Sequence, residues 1–425
     1  MRQVFAMVVG KFALFLTRLR GGGSAFPGLV ALKIAPRWLG RAFDNVPEGI
    51  VFVLGSNGKS TTTHMVSEIL RAHGLTVFTN PTGANLPQGV ASSLLPQVGL
   101  SGRVKADVAV LEVDEAFCEE LAAILHPRVV LGLNTQVDQL YRFIETERAA
   151  NMMLGAMVQA TQAVISNRDD PYLATVDEWL DARPEPRPAL YYFGASPEVV
   201  AASPSGLLNA TNFGASGAGK PRTNYIEVTS SAGRATTLVI DGNSVELSLP
   251  AAGLHYSVDA AAATATARQV LESAWSVTST QAAFAAMKPA YGRGEVLPFE
   301  DTTVQFVMFK NLASLQLNLD ALPANPGPVM LAIDEGTPDM SWIYDVHLER
   351  LPRVEVITGD KAWQMATCLT MKGVEIGLVE PNVSKAVEHM RTLVSPGVEQ
   401  VWIVNYEVTM IARKLIGFGE LETRA

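Results

Sequence analysis

The sequence has little cysteine and a deficit of basic residues, and each shortage excludes a class of protein. Among 425 residues only Cys118 and Cys368 are cysteines, and they form no C-x-x-C pair. This excludes a disulfide framework and a zinc ribbon, and both thiols are predicted to be buried. Lysine and arginine number 33 against 42 acidic residues, a net charge of −9. The balance argues against general nucleic-acid binding, which needs clustered cations, and is typical of a cytoplasmic protein.

A hydrophobic run long enough to cross a membrane is also missing. The apolar stretch at 4–15 is interrupted by Lys11, and no cleavage site of the A-x-A type follows it. We expect an amphipathic helix that packs on its own domain. The basic residues at 2, 11, 18 and 20 leave a second interpretation open, in which the protein is peripheral at the inner face of the membrane.

The segment 51–62 predicts a phosphate-binding loop between a strand and a helix. Residues 51–54 are apolar, as in a buried strand, and a helix is predicted over 60–70. Between them, Gly55 and Gly58 allow backbone N–H groups to surround an anion, and the helix N-terminus adds partial positive charge. The segment therefore favours nucleotide binding over a purely structural turn.

Two side chains of this loop carry the predicted chemistry. Lys59 is placed to reach the outer phosphates of a nucleotide, and Ser60 to ligate Mg²⁺. The spacing departs from the general G-x-x-x-x-G-K-[ST] pattern, because Gly55 lies only three positions before Gly58.

Later strands also end in polar tips, which indicates an open, mostly parallel α/β sheet. Strands are predicted over 75–80, 106–111, 127–133 and 163–166, with helices between them. Ligands of such sheets lie at the carboxyl ends of the strands. The carboxylates at 112–115 therefore predict a Mg²⁺ site beside the phosphate loop, with a solvated charge cluster as the alternative.

Composition divides the chain into three parts. Residues 1–45 are predicted to form an N-terminal helix and linker, 46–297 a central nucleotide-binding domain, and 298–425 a C-terminal α/β domain. A small β-rich insertion is predicted at about 190–250, with a hairpin turn at Asp241-Gly242.

Taken together, the polar tips resemble the motifs of the Mur ligase family over nearly the whole chain. They occur in the family's order, at 55–61, 112–115, Asn134 with Asp138, 167–171 and 292–295. Within the family the chain is similar to the MurT group of ligase subunits, on the segments 82–86, 138–143, 310–311 and, after Asp339, 341–345. The resemblance implies a Mur-ligase-like P-loop ATPase domain followed by a C-terminal α/β domain of MurT type.

The resemblance also implies a reaction and a partner. ATP activates the D-Glu α-carboxyl of the lipid II stem peptide as an acyl phosphate, and ammonia displaces the phosphate to form an amide in peptidoglycan biosynthesis. Ammonia comes from a GatD-type glutaminase subunit in a heterodimer, and this sequence shows no Cys-centred glutaminase of its own. Two alternatives stay open: a stand-alone amide ligase similar to folylpolyglutamate synthase, and a non-catalytic nucleotide-binding scaffold.

Residue roles follow from the resemblance, position by position. Lys59, Glu112 and Asp339 are the expected catalytic residues, and Asp339 is expected to complete the partner's catalytic triad. Ser60 and Glu112 are expected to hold Mg²⁺, and Asn85 and Asp138 to face the acceptor. ATP is expected to bind Gly55, Ser56, Asn57, Gly58, Lys59, Ser60, Thr61, Asn167, Asp169, Arg293, Lys310 and Asn311.

Three departures from the family pattern qualify these roles. The segment 203–253 has no cysteine, so the zinc ribbon common in the MurT group is not expected. Tyr256 and Asp259 replace two asparagines that help to bind adenine, which leaves nucleotide preference open. Residues 312–314 lack the usual Pro and Gly, so the loop after Asn311 is expected to be reshaped.

Overall fold

A computed structural model describes residues 2–19, 25–80, 84–136, 146–202, 224–288, 293–323, 325–334 and 340–418, without the side chains of 18, 293 and 294. Within these ranges the strands form two sheets, each mostly parallel. The fold class predicted from the alternation of strands and helices is confirmed.

The first sheet has nine strands and places the phosphate loop at its centre. The strands are β1 Ile50–Leu54, β2 Val77–Thr79, β3 Val108–Glu112, β4 Val129–Gly132, β5 Ala163–Asn167, β6 Ala189–Ala195, β7 Tyr225–Ala232, β8 Ala235–Ile240 and β9 Asn243–Ser248. Their order is β2-β3-β1-β4-β5-β6-β7-β8-β9. In this sheet order, neighbouring strands pair in parallel from β2 as far as β7. The β7–β8 and β8–β9 pairs are antiparallel. Because β1 lies between β3 and β4, the loop after β1 is flanked by both their tips.

The helices, numbered along the described chain, are α1 Arg2–Leu19, α2 Phe26–Ile34, α3 Trp38–Ala42, α4 Lys59–Ala72, α5 Pro87–Leu94, α6 Cys118–Leu125, α7 Thr146–Met157, α8 Val176–Asp181, α9 Pro197–Ala201, α10 Leu254–Leu271, α11 Val277–Ala286, α12 Leu312–Asp320, α13 Ala362–Met371, α14 Val383–Thr392 and α15 Tyr406–Leu415. Short 3₁₀ helices lie at Glu115–Phe117, Leu173–Thr175, Glu272–Ala274 and Ser341–Asp345.

Both faces of the first sheet are covered, which explains the continuous apolar run of β1. Phe52 and Leu54 pack into a core with α1, α5 and α6, whereas Val51 and Val53 face α4 and α10. Helix α10 is buried on nearly all sides, and its run of alanines at 260–263 lets it approach the sheet closely. Burial of each large apolar side chain stabilises the fold by about 1.5–3 kcal/mol.

The β-rich segment extends the first sheet. Strand β6 pairs with β5 and β7, and β8 and β9 continue the same sheet as antiparallel strands. Asp241 and Gly242 have φ angles of +50° and +79°, as the predicted two-residue hairpin turn requires.

The second sheet has six strands, β10 Arg293–Phe299, β11 Thr302–Met308, β12 Val329–Ala332, β13 Arg353–Thr358, β14 Glu375–Val379 and β15 Gln400–Val404. Their order is β10-β11-β15-β12-β13-β14, parallel except for the β10–β11 hairpin. The sheet begins at Arg293 rather than at residue 298, where composition placed the domain boundary, because β10 pairs with β11. Trp402 on the central strand is fully buried against Phe299 and Phe306.

Candidate functional site

The loop after β1 needs glycine at two positions. Gly55 and Gly58 have φ angles of +148° and +84°, and Gly58 is the N-cap of α4. A Cβ on Gly58 would lie 2.7 Å from Oδ1 of Asp259 on α10. A side chain at 58 would therefore be strained and would also displace a buried carboxylate.

Asn134 at the end of β4 fixes the backbone of the loop. Its carbonyl oxygen accepts from Ser56 N at 3.0 Å, its Oδ1 accepts from Asn57 N at 2.9 Å, and its Nδ2 donates to Asn57 O at 3.0 Å. Ser56 Oγ in turn accepts from Gln136 N at 3.0 Å. These contacts fix the backbone of the loop, which reduces the entropy lost on phosphate binding.

Lys59 is buried and lies in an ion pair. Its Nζ is 2.5 Å from Glu115 Oε1 and also donates to Gly55 O. Only 7% of Lys59 and 4% of Glu115 are exposed. Glu115 belongs to the predicted acidic tip at 112–115, but the sequence did not single it out, because the pairing depends on how the 3₁₀ turn after β3 faces α4.

The two residues predicted to hold Mg²⁺ are in contact. Ser60 Oγ donates to Glu112 Oε2 at 2.7 Å. Asn80, which was not predicted, fixes this tip: its Oδ1 accepts from Glu112 N at 2.9 Å and its Nδ2 donates to Glu112 O at 2.8 Å. Asn85 O accepts from Asp114 N at 3.1 Å, which places Asn85 beside the same edge of the sheet.

The donor chemistry of this pair suits Mg²⁺. A hydroxyl and a carboxylate are hard oxygen ligands, and Mg²⁺ commonly takes one or two of these together with nucleotide phosphates and water. The described ranges hold no group of three or more His, Cys, Asp or Glu side chains that could bind a metal alone. The pair therefore fits a metal that is held jointly with a phosphate ligand.

The tip of β5 contributes one cavity residue, Asn167, and the carboxylates of Asp169 and Asp170. Asn167 lines the cavity, and its Nδ2 donates to Leu133 O at 2.7 Å. The Asp169 carboxylate instead accepts from Ala195 N of β6 at 2.7 Å. Asp170 is fully buried, which raises the pKa of its carboxyl, and it accepts from the hydroxyl of Thr135 at 2.8 Å.

A cavity of about 360 Å³ lies between the two sheets, next to the phosphate loop. Its first wall includes Asn57, Gly58, Thr61, Asn134 and Asn167, and its second includes Gln305, Met308, Lys310, Leu317 and Asn318. The volume is within the range of small-molecule sites. Between the walls, the start of α10 contributes His255, Tyr256 and Asp259, with the His255 and Tyr256 rings 4.6 Å apart. Aromatic and acidic groups thus lie at the two positions where the resemblance implied asparagines.

Asn311 links the second domain to the phosphate loop. Its Oδ1 accepts from Asn57 Nδ2 at 3.0 Å and from Ser314 N at 3.0 Å, so that it also caps α12. Only 2% of Asn311 is exposed, and its Nδ2 has no acceptor among the described residues. The loop expected to be reshaped is thus a capping box with Ser314, and it leaves a buried donor beside the cavity.

Three predicted residues cannot be placed in this geometry. Asp138 and Asp339 lie outside the described residues, and Arg293 is described only by its backbone in β10.

The comparisons with known proteins agree with this fold. The Mur ligase middle domain family matches residues 53–267, and the MurT ligase C-terminal family matches 308–408. The lipid II isoglutaminyl synthase subunit MurT of Streptococcus pneumoniae is 27% identical over 84% of this chain and 83% of its own length. The UDP-N-acetylmuramoylalanine–D-glutamate ligase of Desulfotalea psychrophila is 36% identical over 37% of this chain and 30% of its own.

Solved structures show the same architecture. MurF from Acinetobacter baumannii superimposes with a TM-score of 0.68 at 16% identity, over 92% of this chain and 79% of that one. E. coli FolC in complex with DHPP and ADP superimposes with a TM-score of 0.61 at 15% identity, over 89% and 91%. The chain belongs to the Mur ligase family. It is an ATP-dependent ligase, and the relative that it matches over most of both lengths is a MurT subunit.

Proposed function

We propose that this chain is the ligase subunit of a lipid II isoglutaminyl synthase and acts in peptidoglycan biosynthesis. It uses ATP to convert the D-Glu α-carboxyl of the lipid II stem peptide into an amide through an acyl phosphate. The observation that carries the proposal is the Lys59, Ser60 and Glu112 cluster, in a chain similar to a MurT subunit over 84% of its length.

Each residue of the cluster has a task in phosphoryl transfer. Lys59 and the N–H groups of the loop bind the outer phosphates and offset the charge that develops as the acceptor carboxylate attacks. Ser60 and Glu112 hold Mg²⁺, which supplies further charge neutralisation when bound. Through Asn311 the second domain contacts the phosphate loop. The domain then covers the site and excludes water from the activated acyl group.

The cysteines support a need for a separate glutaminase. Cys118 and Cys368 are 0% and 1% exposed, and burial raises the pKa of both thiols. A buried, protonated thiol cannot attack glutamine at neutral pH. Ammonia therefore comes from a GatD-type partner subunit in a heterodimer, and Asp339 completes that partner's catalytic triad.

Reconstitution tests the proposal. The purified chain is incubated with lipid II, MgATP and either glutamine or ammonium, with and without the glutaminase subunit. The expected result is amidation from ammonium by the chain alone and from glutamine only with the partner, and Asp339→Asn lowers the glutamine reaction alone. Glutamine-dependent amidation without a partner would contradict the proposal. Amino-acid transfer to a carboxylate would favour a stand-alone ligase, and absence of ATP turnover a non-catalytic scaffold.

A further inference from the structure

Helix α1 presents large apolar side chains to solvent along one face. Phe5, Phe12, Phe15 and Leu19 are 61%, 59%, 59% and 69% exposed. Together with exposed Val8, their spacing of three and four residues places them on one side of the helix. Phe26 and Leu29 at the start of α2 are also exposed. We call this set the N-terminal apolar face; an exposed patch of this kind marks an interaction surface.

The opposite side of α1 is firmly docked, which fixes the orientation of that face. Ala6, Met7 and Ala13 are buried, and a Cβ on Gly10 would lie 2.9 Å from Leu95 Cδ2. Lys11 Nζ donates to Val98 O at 2.6 Å. The helix therefore packs on its own domain, as expected, through Met7 and three small residues. Rotation to bury the phenylalanines would require large side chains to enter a contact that fits glycine and alanine.

The charged residues among the first 43 positions all have one sign. Within 1–43 the sequence has no Asp or Glu, whereas it has Arg2, Lys11, Arg18, Arg20, Lys33, Arg37 and Arg41. All 42 acidic residues follow. Arg2, Lys33, Arg37 and Arg41 are exposed, and Arg2 Nε donates to Ile34 O at 2.5 Å, so the start of α1 lies beside the end of α2. An apolar face among cations is complementary to an anionic lipid surface.

We propose that the N-terminal apolar face docks this protein on anionic phospholipid bilayers, with α1 lying in the plane of the interface. In the described part of the chain, no helix is long and apolar enough to cross a membrane. A second copy is a poorer occupant, because it would bring a second set of cations against the first. The inference does not rest on the proposed function, because docking needs neither ATP nor lipid II.

Sedimentation with vesicles tests the docking. We expect the chain to bind vesicles of phosphatidylglycerol and phosphatidylethanolamine, to bind phosphatidylcholine vesicles weakly, and to dissociate at high salt. The double variant Phe12→Ser with Phe15→Ser should lower the vesicle–water partition coefficient at least about tenfold. The reason is that it removes two aromatic rings that would be buried in the lipid. The matched control is Trp363→Ser with Met371→Ser, which alters two side chains that are 64% and 74% exposed on the other domain.

A fluorescent label reports insertion directly and does not depend on the serine variants folding. Both native cysteines are buried, so a thiol-reactive environment-sensitive dye labels Phe12→Cys or Met371→Cys selectively. The dye at 12 should brighten and shift to the blue with anionic vesicles, and the dye at 371 should not. An unresponsive dye at 12, equal binding to phosphatidylcholine, or a dimer that dissociates in Phe12→Ser with Phe15→Ser without any vesicle binding would overturn the proposal.

Discussion

Lys59 Nζ lies 2.5 Å from Glu115 Oε1, and both side chains are almost fully buried. Glu115 therefore offsets the charge of the cation that is expected to bind the nucleotide phosphates. Lys59 thus has a structural role in addition to its proposed chemical role.

A double-mutant cycle separates these roles. Lys59→Met or Glu115→Gln alone should lower the free energy of unfolding by about 3 kcal/mol, because one buried group loses its partner. The double variant should recover most of that loss, yet ATP turnover should be absent wherever Lys59 is replaced. Urea unfolding and a phosphate-release assay measure the two effects. Purely additive losses of stability would contradict the coupling.

The Ser60–Glu112 contact predicts how activity depends on Mg²⁺. Glu112→Gln removes the charge that attracts the metal, so the Mg²⁺ concentration for half-maximal activity should rise at least about tenfold. The control is Asp107→Asn, at the opposite end of β3, where the carboxylate accepts from Thr76 N at 2.7 Å. Its Mg²⁺ titration should match that of the wild type. Equal shifts in both variants would mean that Glu112 does not act on the metal.

The Asn57–Asn311 hydrogen bond predicts that one helix cap also serves ATP binding. Asn311→Ala and Asn382→Ala each remove an N-cap, of α12 and α14, and each should cost about 1 kcal/mol of stability. Only Asn311→Ala should also lower kcat/KM for ATP, by about fivefold, the equivalent of one lost hydrogen bond. Steady-state kinetics on both variants measure this difference. Equal kcat/KM values for ATP in Asn311→Ala and Asn382→Ala would mean that Asn311 only caps the helix.

His64 on α4 predicts a specific acid sensitivity. Burial lowers the pKa of its imidazole below the ordinary 6.5, so the unfolded chain binds a proton that the folded chain does not. The free energy of unfolding should therefore fall as the pH drops from about 7 through 6.5 towards the lowered pKa. His64→Gln should flatten this fall, because the glutamine side chain does not titrate. Parallel profiles for His64→Gln and the wild type in urea unfolding would contradict the prediction.

Sequence patterns predicted most of the fold because buried strands and helix starts leave local signals. The apolar run before Gly55 and the polar tip at 112–115 depend only on neighbouring residues, and both lie where they were expected. Strand β14 has no such signal, because most of its side chains are exposed, which removes the apolar alternation. Strand β10 also lacks a clear signal, because Pro298 and Gly294 interrupt its pattern.

The candidate site was predictable only in part, because contacts between distant segments have no local signal. The pairing of Glu115 with Lys59 and the support of Glu112 by Asn80 depend on strand order. For helix α1, periodicity indicated two unlike faces, but it did not show that the face with Gly10 and the alanines packs on the domain. The roles of Asp138, Asp339 and the Arg293 side chain remain predictions.

The central claim is that ATP is consumed to amidate lipid II. The most direct measurement follows lipid II by mass spectrometry, and ADP in parallel, after incubation of the chain with MgATP and ammonium. The account predicts conversion of the D-Glu α-carboxyl into an amide with one ADP for each amide, and no product with Lys59→Ala. ADP release without an amide, or an amide formed equally well by Lys59→Ala, would contradict it.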